Sequence, residues 1–459
     1  MRLSQAAAEQ LPADVVRPGY DRAAQRRGIV HLGLGAFARA HQAVFTDAAM
    51  AAGDANWAIT GVSLRSATVA QALVPQDGLY TVTERSGEGE RVQLIGAVRD
   101  VLVAPHAPDA PVAAIADADT HIVTLTVTEK GYHLAPDGSL DEAQVGGGEG
   151  SIYSYLARGL AARRNAGLAG VTIVSCDNLA GNGAVLASAL ATYLDATDAA
   201  LARWFANECA CPSTMVDRIV PAASAEVLDG AAARLGMRDE GALVTEPFRQ
   251  WVIEDRFAGP RPRWEAGGAE FVTDVRAYET AKLRMLNGAH SALAYLGLAS
   301  GHAHVHEALA DPAIRPLVEQ LMRAEAAPTV DRADGQDLDA YAGALLARFG
   351  NPALPHRLAQ IAMDGSQKIG PRWLEPLAVN RARGQRCDAT LRALAAWLRF
   401  VRGDTQRVND PRAVALARCW SEGAEGVVEA VFGPHGVIPA DAALDANDRA
   451  ELTRLLGEG

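Results

Sequence analysis

The chain has 459 residues, 49% of them hydrophobic, which is enough to bury a large core and to divide into two domains. Its formal net charge of -12, with no block of basic residues to contradict the average, argues against binding a phosphate backbone. No apolar run is long enough to span a bilayer and none precedes Pro12, so the expectation is a cytoplasmic protein with neither nucleic acid nor membrane as partner.

Gly28-Ile-Val-His-Leu reads as a short apolar strand running into Gly33-Leu-Gly35-Ala-Phe37-Ala38-Arg39-Ala-His41. That is G-x-G-x-x-A between a strand and a helical pattern. The first Gly permits a tight turn, the second lets a pyrophosphate approach the backbone, and the small third residue lets helix and strand pack closely. The helix that follows is expected to offer its free N–H groups to the phosphates. Trp57 to Leu64 reads as a second parallel strand, after which an NAD-type site usually has an acid for the ribose; this chain has Arg65-Ser66. Arg65 is placed either to meet the extra phosphate of NADP or to lie in solvent over the adenine.

Further β-branched, apolar strands are expected at His121 to Thr128 and Val171 to Cys176, separated by a helix over Ile152 to Arg164. Gly146 to Gly150 reads as a surface loop. The two strands end in Glu129-Lys130-Gly131 and Asp177-Asn178, and in open α/β sheets ligands bind at such carboxyl ends. Asn178 is equally at home as a turn residue. Met215-Val-Asp217-Arg218-Ile carries an acid and a base in an apolar context, which also suits a structural ion pair. The five cysteines are odd in number and sparse, and Cys209-Ala-Cys211 is too tight for a zinc site, so buried thiols and no metal are expected.

Beyond a boundary near residue 275, strand signals fade and helices are expected at His306 to Ala324, Leu338 to Phe349, Ala389 to Val401, Pro411 to Cys419 and Ala440 to Leu456. Met363 to Lys368, between helical segments, reads on composition as a solvated turn. The helix that opens this half, from Tyr278 through Lys282, Asn287 and His290, is apolar on nearly every side to Leu296. At about 100° per residue, Asn287 lies near 140° and His290 near 80° from Lys282, so all three project from one half of the helix. Asn287 and His290 taken singly suit hydrogen-bonded core positions. A buried Lys demands more, because burial moves its pKa towards the range useful for proton transfer.

Tyr278-x-x-x-Lys282 also matches the catalytic pair of short-chain dehydrogenases. Those chains are far shorter and place the pair much nearer the Gly-rich turn. No Cys/His set has catalytic-zinc character, which leaves a metal-free dehydrogenase using Lys.

Gly33-x-Gly35-x-Phe37-x-Arg39-Ala-His41, Gln76-Asp-Gly-Leu-Tyr80, Thr126-Val-Thr-Glu-Lys-Gly-Tyr132, Ser175-Cys-Asp-Asn178, Met215-Val-Asp-Arg-Ile219 and Lys282-x4-Asn287-x2-His290 together resemble the polyol-specific long-chain dehydrogenases, the mannitol dehydrogenase family, over nearly the whole chain. The resemblance implies an α/β fold: a Rossmann-type N-terminal domain, here 1–274, and a mostly helical C-terminal domain, here 275–459, with the active site between them. It implies Lys282 as general acid/base, Asn178 and Asn287 holding the reacting oxygen, His290 orienting the substrate, Asp217 and Lys368 as further substrate residues, and Gly33, Gly35, Phe37 and Arg39 at the cofactor. NAD is implied by family habit, with NADP left open by Arg65. A dinucleotide-binding sensor without turnover is the alternative of another class.

Within the family, Glu246 to Asp255 and Gln360 to Lys368 are most similar to fructuronate reductase (D-mannonate oxidoreductase), whereas mannitol 2-dehydrogenases tend to carry an apolar residue in the position of Arg249 and an Arg in that of Gln360. The substrate implied is a sugar acid or polyol, mannitol and arabinitol remaining alternatives. Arg249 or Lys368 then pairs with a hexuronate carboxylate, or Arg249 pairs with Glu246, Glu254 or Asp255 close by in sequence. The oligomeric state stays open, a monomer included.

Overall fold

The computed structural model describes residues 1–145, 150–404, 407–440 and 443–458. The expected loop at 146–150 lies, apart from Gly150, outside the described residues. The chain forms two compact units, Met1–Arg276 and Ala277–Gly459.

Eleven strands are found among the described residues of the first unit: β1 (Ile29–Leu32), β2 (Ile59–Ser63), β3 (Tyr80–Ser86), β4 (Gly89–Ile95), β5 (Val98–Val103), β6 (Ile122–Leu125), β7 (Thr172–Ser175), β8 (Thr214–Asp217), β9 (Leu243–Thr245), β10 (Gln250–Glu254) and β11 (Glu270–Val272). The five in the order β5-β2-β1-β6-β7 are all parallel, the Rossmann arrangement in which strand order reverses beside the first strand. Side chains alternate between two cores: Ile29, Ile122 and Val174 enter one, Val30, Leu32, Val123, Leu125 and Ile173 the other. Burial on both faces is why β1, β2, β6 and β7 read as largely apolar runs without a charged acid or base.

Four of the five were legible as strands. The third in sequence, β5, was not, because Arg99 and Asp100 interrupt Val-Arg-Asp-Val-Leu-Val, a pattern an edge strand tolerates. Two small sheets, β4-β3-β9 and β11-β10-β8, complete the unit. The expected strand over His121 to Thr128 ends at Leu125. The chain turns sharply after it, and Thr128 adopts φ 66° and ψ 161°.

The second unit is helical, its core running without interruption from Ala281 to Leu456. The opening helix holds a surprise: Arg276–Ala281 and Gly288–Ala299 are α-helical, but Lys282–Asn287 between them is a π-turn, with the Gly288 N–H donating to Leu283 O. Two more π-turns, Leu321–Ala326 and Gly370–Leu374, pack against it. The expected helix over His306 to Ala324 is split into Val305–Ala310 and Arg315–Gln320, since Pro312 disfavours helical backbone at Asp311 and lacks an N–H itself. Leu338–Phe349 has the expected bounds, and the last helix runs Ala446–Gly457. Met363 to Lys368 is no solvated turn: it includes the helical turn Gly365–Ile369, with Gly365 and Ser366 buried. No helix among the described residues is long and apolar enough to cross a membrane.

Candidate active site

In the first unit the turn after β1 forms as its glycines require. Gly33 has φ 90°, and a Cβ there would lie 2.2 Å from Thr126 O. A Cβ on Gly35 would meet only Gly33 O, at 3.8 Å, so that backbone is open to a ligand. The helix behind the turn is shorter than expected. Ala36–Ala40 is a single turn, and the chain breaks at His41, whose Nε2 bonds Gln250 O at 2.9 Å and whose ring stacks on Phe37 at 5.0 Å, before Gln42–Ala51 resumes. A phosphate at this turn would meet backbone N–H groups more than a long helix dipole. Arg39 is buried, donates to Gly241 O at 2.7 Å and to Gly35 O at 3.3 Å, and lies over the Tyr80 ring, so its guanidinium braces the turn from behind.

A cleft of about 430 Å³ opens here, lined by Gly33 and Gly35, by Leu64, Arg65 and Ser66 after β2, and by Thr126, Val127 and Thr128 after β6. Arg65 and Ser66 are exposed at its rim. A tight turn at Gly33, where a Cβ has no room, and an open backbone at Gly35, beside a cleft at the carboxyl ends of parallel strands, fit a dinucleotide.

Two buried polar networks shape that cleft. His31 Nδ1 and Nε2 lie 2.6 and 2.9 Å from the hydroxyls of Thr124 and Thr126, and the Thr126 hydroxyl donates to Gly33 O at 2.8 Å. Because Thr126 spends its proton on Gly33, His31 must donate from Nε2 and accept at Nδ1. Burial pushes the His31 pKa down to about 4, which fits a neutral ring. On the other side the Asp177 carboxylate accepts from the N–H groups of Val127 (2.9 Å) and Thr128 (2.8 Å) and from the Tyr132 hydroxyl (2.8 Å). Burial pushes the Asp177 pKa up while these donors oppose it. Thr128 sits in a backbone region nearly reserved for glycine, and Asp177 holds it there. Sequence reading singled out Asn178 and passed over Asp177. Asn178 is exposed in the loop after β7, and its neighbour is the buried organiser.

Asp217, the buried last residue of β8, faces Gln250 across the β8–β10 pairing, one residue along the chain from Arg249. Arg249 does form an ion pair, but with Glu84 on the distant strand β3, at 3.1 Å, rather than with Glu246, Glu254 or Asp255. The same Glu84 oxygen takes the fully buried Arg218 at 2.6 Å. Glu246 accepts the Ile219 N–H and Glu254 the Ser213 N–H, so the acids near in sequence have other work.

In the second unit Lys282 opens the π-turn, Asn287 closes it and His290 lies in the next turn; all three are half-buried. A turn hydrogen-bonded i→i+5 holds more residues than the 3.6 of an α-helix, so Lys282 and Asn287 come nearer to one line than 100° per residue implies. The His290 ring packs on Phe349 at 4.6 Å and His356 at 5.5 Å. Burial holds its pKa well below the ordinary value, with His356, Arg348 and Arg372 adding to the effect. Lys368 donates to the carbonyls of Ile361 and Met363, and burial followed by nearby Arg372 lowers its pKa. Arg372, which sequence reading missed, reaches the helix of Lys282, Asn287 and His290 itself: its Nη1 lies 2.8 Å from Ser291 Oγ and 3.3 Å from Asn287 O.

Comparison with known proteins agrees along the length of the chain. The family profile "Mannitol dehydrogenase Rossmann domain" matches residues 27–266, and "Mannitol dehydrogenase C-terminal domain" matches 274–432. D-mannonate oxidoreductase of Escherichia coli is 39% identical over 453 residues, covering 94% of this chain and 93% of its own. Among solved structures, a D-sorbitol dehydrogenase in substrate-free form superposes with a TM-score of 0.90 at 31% identity over 99% of this chain and 96% of that one. Pseudomonas fluorescens mannitol 2-dehydrogenase, in a ternary complex with NAD and D-mannitol, gives a TM-score of 0.81 at 32% identity over 100% and 96%. With a lysine, an asparagine and a histidine on one interrupted helix and a glycine-turn cleft under a parallel sheet, the chain belongs to the mannitol dehydrogenase family of oxidoreductases.

Proposed function

We propose that the protein is an NAD(H)-dependent, metal-free secondary-alcohol dehydrogenase that interconverts D-fructuronate and D-mannonate. The observation that carries this reading is the similarity to D-mannonate oxidoreductase across 94% of the chain. A bound nicotinamide supplies the hydride in reduction. As the keto carbon gains it, the carbonyl π pair moves to oxygen, and the Lys282 ammonium gives that oxygen a proton; in oxidation the neutral amine takes the proton back. The amides of Asn178 and Asn287 donate to the same oxygen. His290, kept neutral by burial, orients the substrate, Asp217 accepts from its hydroxyls, and Lys368 faces its carboxylate. Arg249, whose guanidinium is spent on Glu84 and on the Gly267 carbonyl, is assigned to holding the strand end.

Initial rates of NADH and NADPH oxidation with D-fructuronate, D-tagaturonate and D-fructose as acceptors test the reading. A preference for NADH with fructuronate is expected. The relatedness to mannitol 2-dehydrogenase makes D-fructose the rival acceptor, and a higher kcat/KM for it would move the protein to that activity. Lys282→Met is expected to lower kcat by about 10²- to 10⁴-fold with NADH affinity retained. An unaltered rate would remove Lys282 from the chemistry.

A further inference from the structure

A cation inside a protein is normally met by an acid, because an unpaired buried charge is costly. Lys368 and Arg372 break that rule together. Among the described residues neither forms an ion pair. Asp364 and Asp410 act on Lys368 only through space, and the Asp410 carboxylate is itself taken up by the Ser366 N–H and hydroxyl at 2.7 and 2.6 Å and by the Arg412 N–H at 2.8 Å. The two cations also repel one another, since Arg372 is among the causes of the lowered Lys368 pKa. What fixes Arg372 is neutral: Nη1 bonds Asn287 O and Ser291 Oγ, while Nε and Nη2 have no acceptor among the described residues. One edge of a planar guanidinium is thus anchored on the helix that carries Lys282, Asn287 and His290, and the other edge is left without a partner.

That free edge has the geometry of a bidentate carboxylate receptor, which a lysine cannot reproduce. Resting on the sugar-acid reading given above, the geometry points to Arg372, with Lys368 beside it, as the group that binds the substrate's carboxylate and so selects a hexuronate over an uncharged ketose. Arg249 lacks such a free edge: its Nη1 meets Glu84, and its Nε and Nη2 both donate to Gly267 O at 3.3 Å. The anion completes the charge balance that the protein leaves open, so affinity and selectivity come from one contact. The anchor also ties recognition to chemistry, because Arg372 is held at the carbonyl of Asn287.

Arg372→Gln and Arg372→Lys, compared with the native protein, decide the matter. The ratio of kcat/KM for D-fructuronate to that for D-fructose is expected to fall at least tenfold in Arg372→Gln, through KM for the uronate, and to recover only in part in Arg372→Lys. D-mannonate is expected to raise the melting temperature of the native protein but not of Arg372→Gln. A ratio that stays fixed while both acceptors lose rate in parallel, or a mannonate shift preserved in Arg372→Gln, would make Arg372 a structural brace and overturn the proposal. Native protein that fails to prefer the uronate would instead sink the sugar-acid reading, and this proposal with it.

Discussion

His31 and Thr128 show how single residues under the cofactor turn are held in states they would not choose in water. Burial drops the His31 pKa to about 4, whereas the unfolded chain takes a proton near 6.5. Stability from this ring is therefore complete above about pH 6.5 and is lost as pH falls towards 4. Between pH 7.5 and 5 the native protein should lose about 2 kcal/mol more than His31→Gln in urea unfolding of the first unit. Equal losses would show that His31 titrates normally in the fold. Thr128 carries strain of the order of 1–3 kcal/mol, held by the Asp177 carboxylate. Neither relation was legible in the sequence. Lys282, Asn287, His290 and Asn178 were singled out because polar residues stood out in apolar runs or at strand ends, but Asp177, Glu84 and Arg372 act through partners 49, 165 and 85 residues away.

At the scale of elements, strands buried on both faces announced themselves and edges did not. β1, β2, β6 and β7 are buried at every position and carry no Asp, Glu, Lys or Arg, while β5 and the β3–β4 hairpin carry Arg, Asp and Glu where one side is solvated. The π-turn was invisible because nothing in Lys-Leu-Arg-Met-Leu-Asn distinguishes i→i+5 from i→i+4 bonding. The segment holding Lys368 was misread because its burial depends on one glycine. A Cβ on Gly365 would stand 2.3 Å from Tyr295 Oη and 2.6 Å from Trp397 Nε1, both in the helical core. Gly365→Ala is expected to destabilise the second unit by about 1–3 kcal/mol and to raise the substrate KM as Lys368 shifts; thermal melts and initial rates check both. A melt like that of the native protein would mean the turn has slack.

Across the whole molecule, the glycine turn and Lys282 lie in different units, so on the proposed roles dinucleotide binding and proton transfer should separate by mutation. At a hundredfold excess over its dissociation constant, NADH should stabilise the native protein by about 2.7 kcal/mol. Lys282→Met is expected to keep that melting shift. Gly33→Ala should lose it, since its Cβ would lie 2.2 Å from Thr126 O at φ 90°. A shift preserved in Gly33→Ala would move the cofactor away from this turn. The register of β3 sets an order on events during synthesis. All five parallel strands have been made once Ser175 is reached, but β9, which pairs with β3, begins 68 residues later at Leu243. Until then the nascent chain must present an unpaired strand edge, and the alternating charges of Glu84, Arg85, Glu90 and Arg91 on that hairpin are what discourages a neighbouring chain from taking the place of β9.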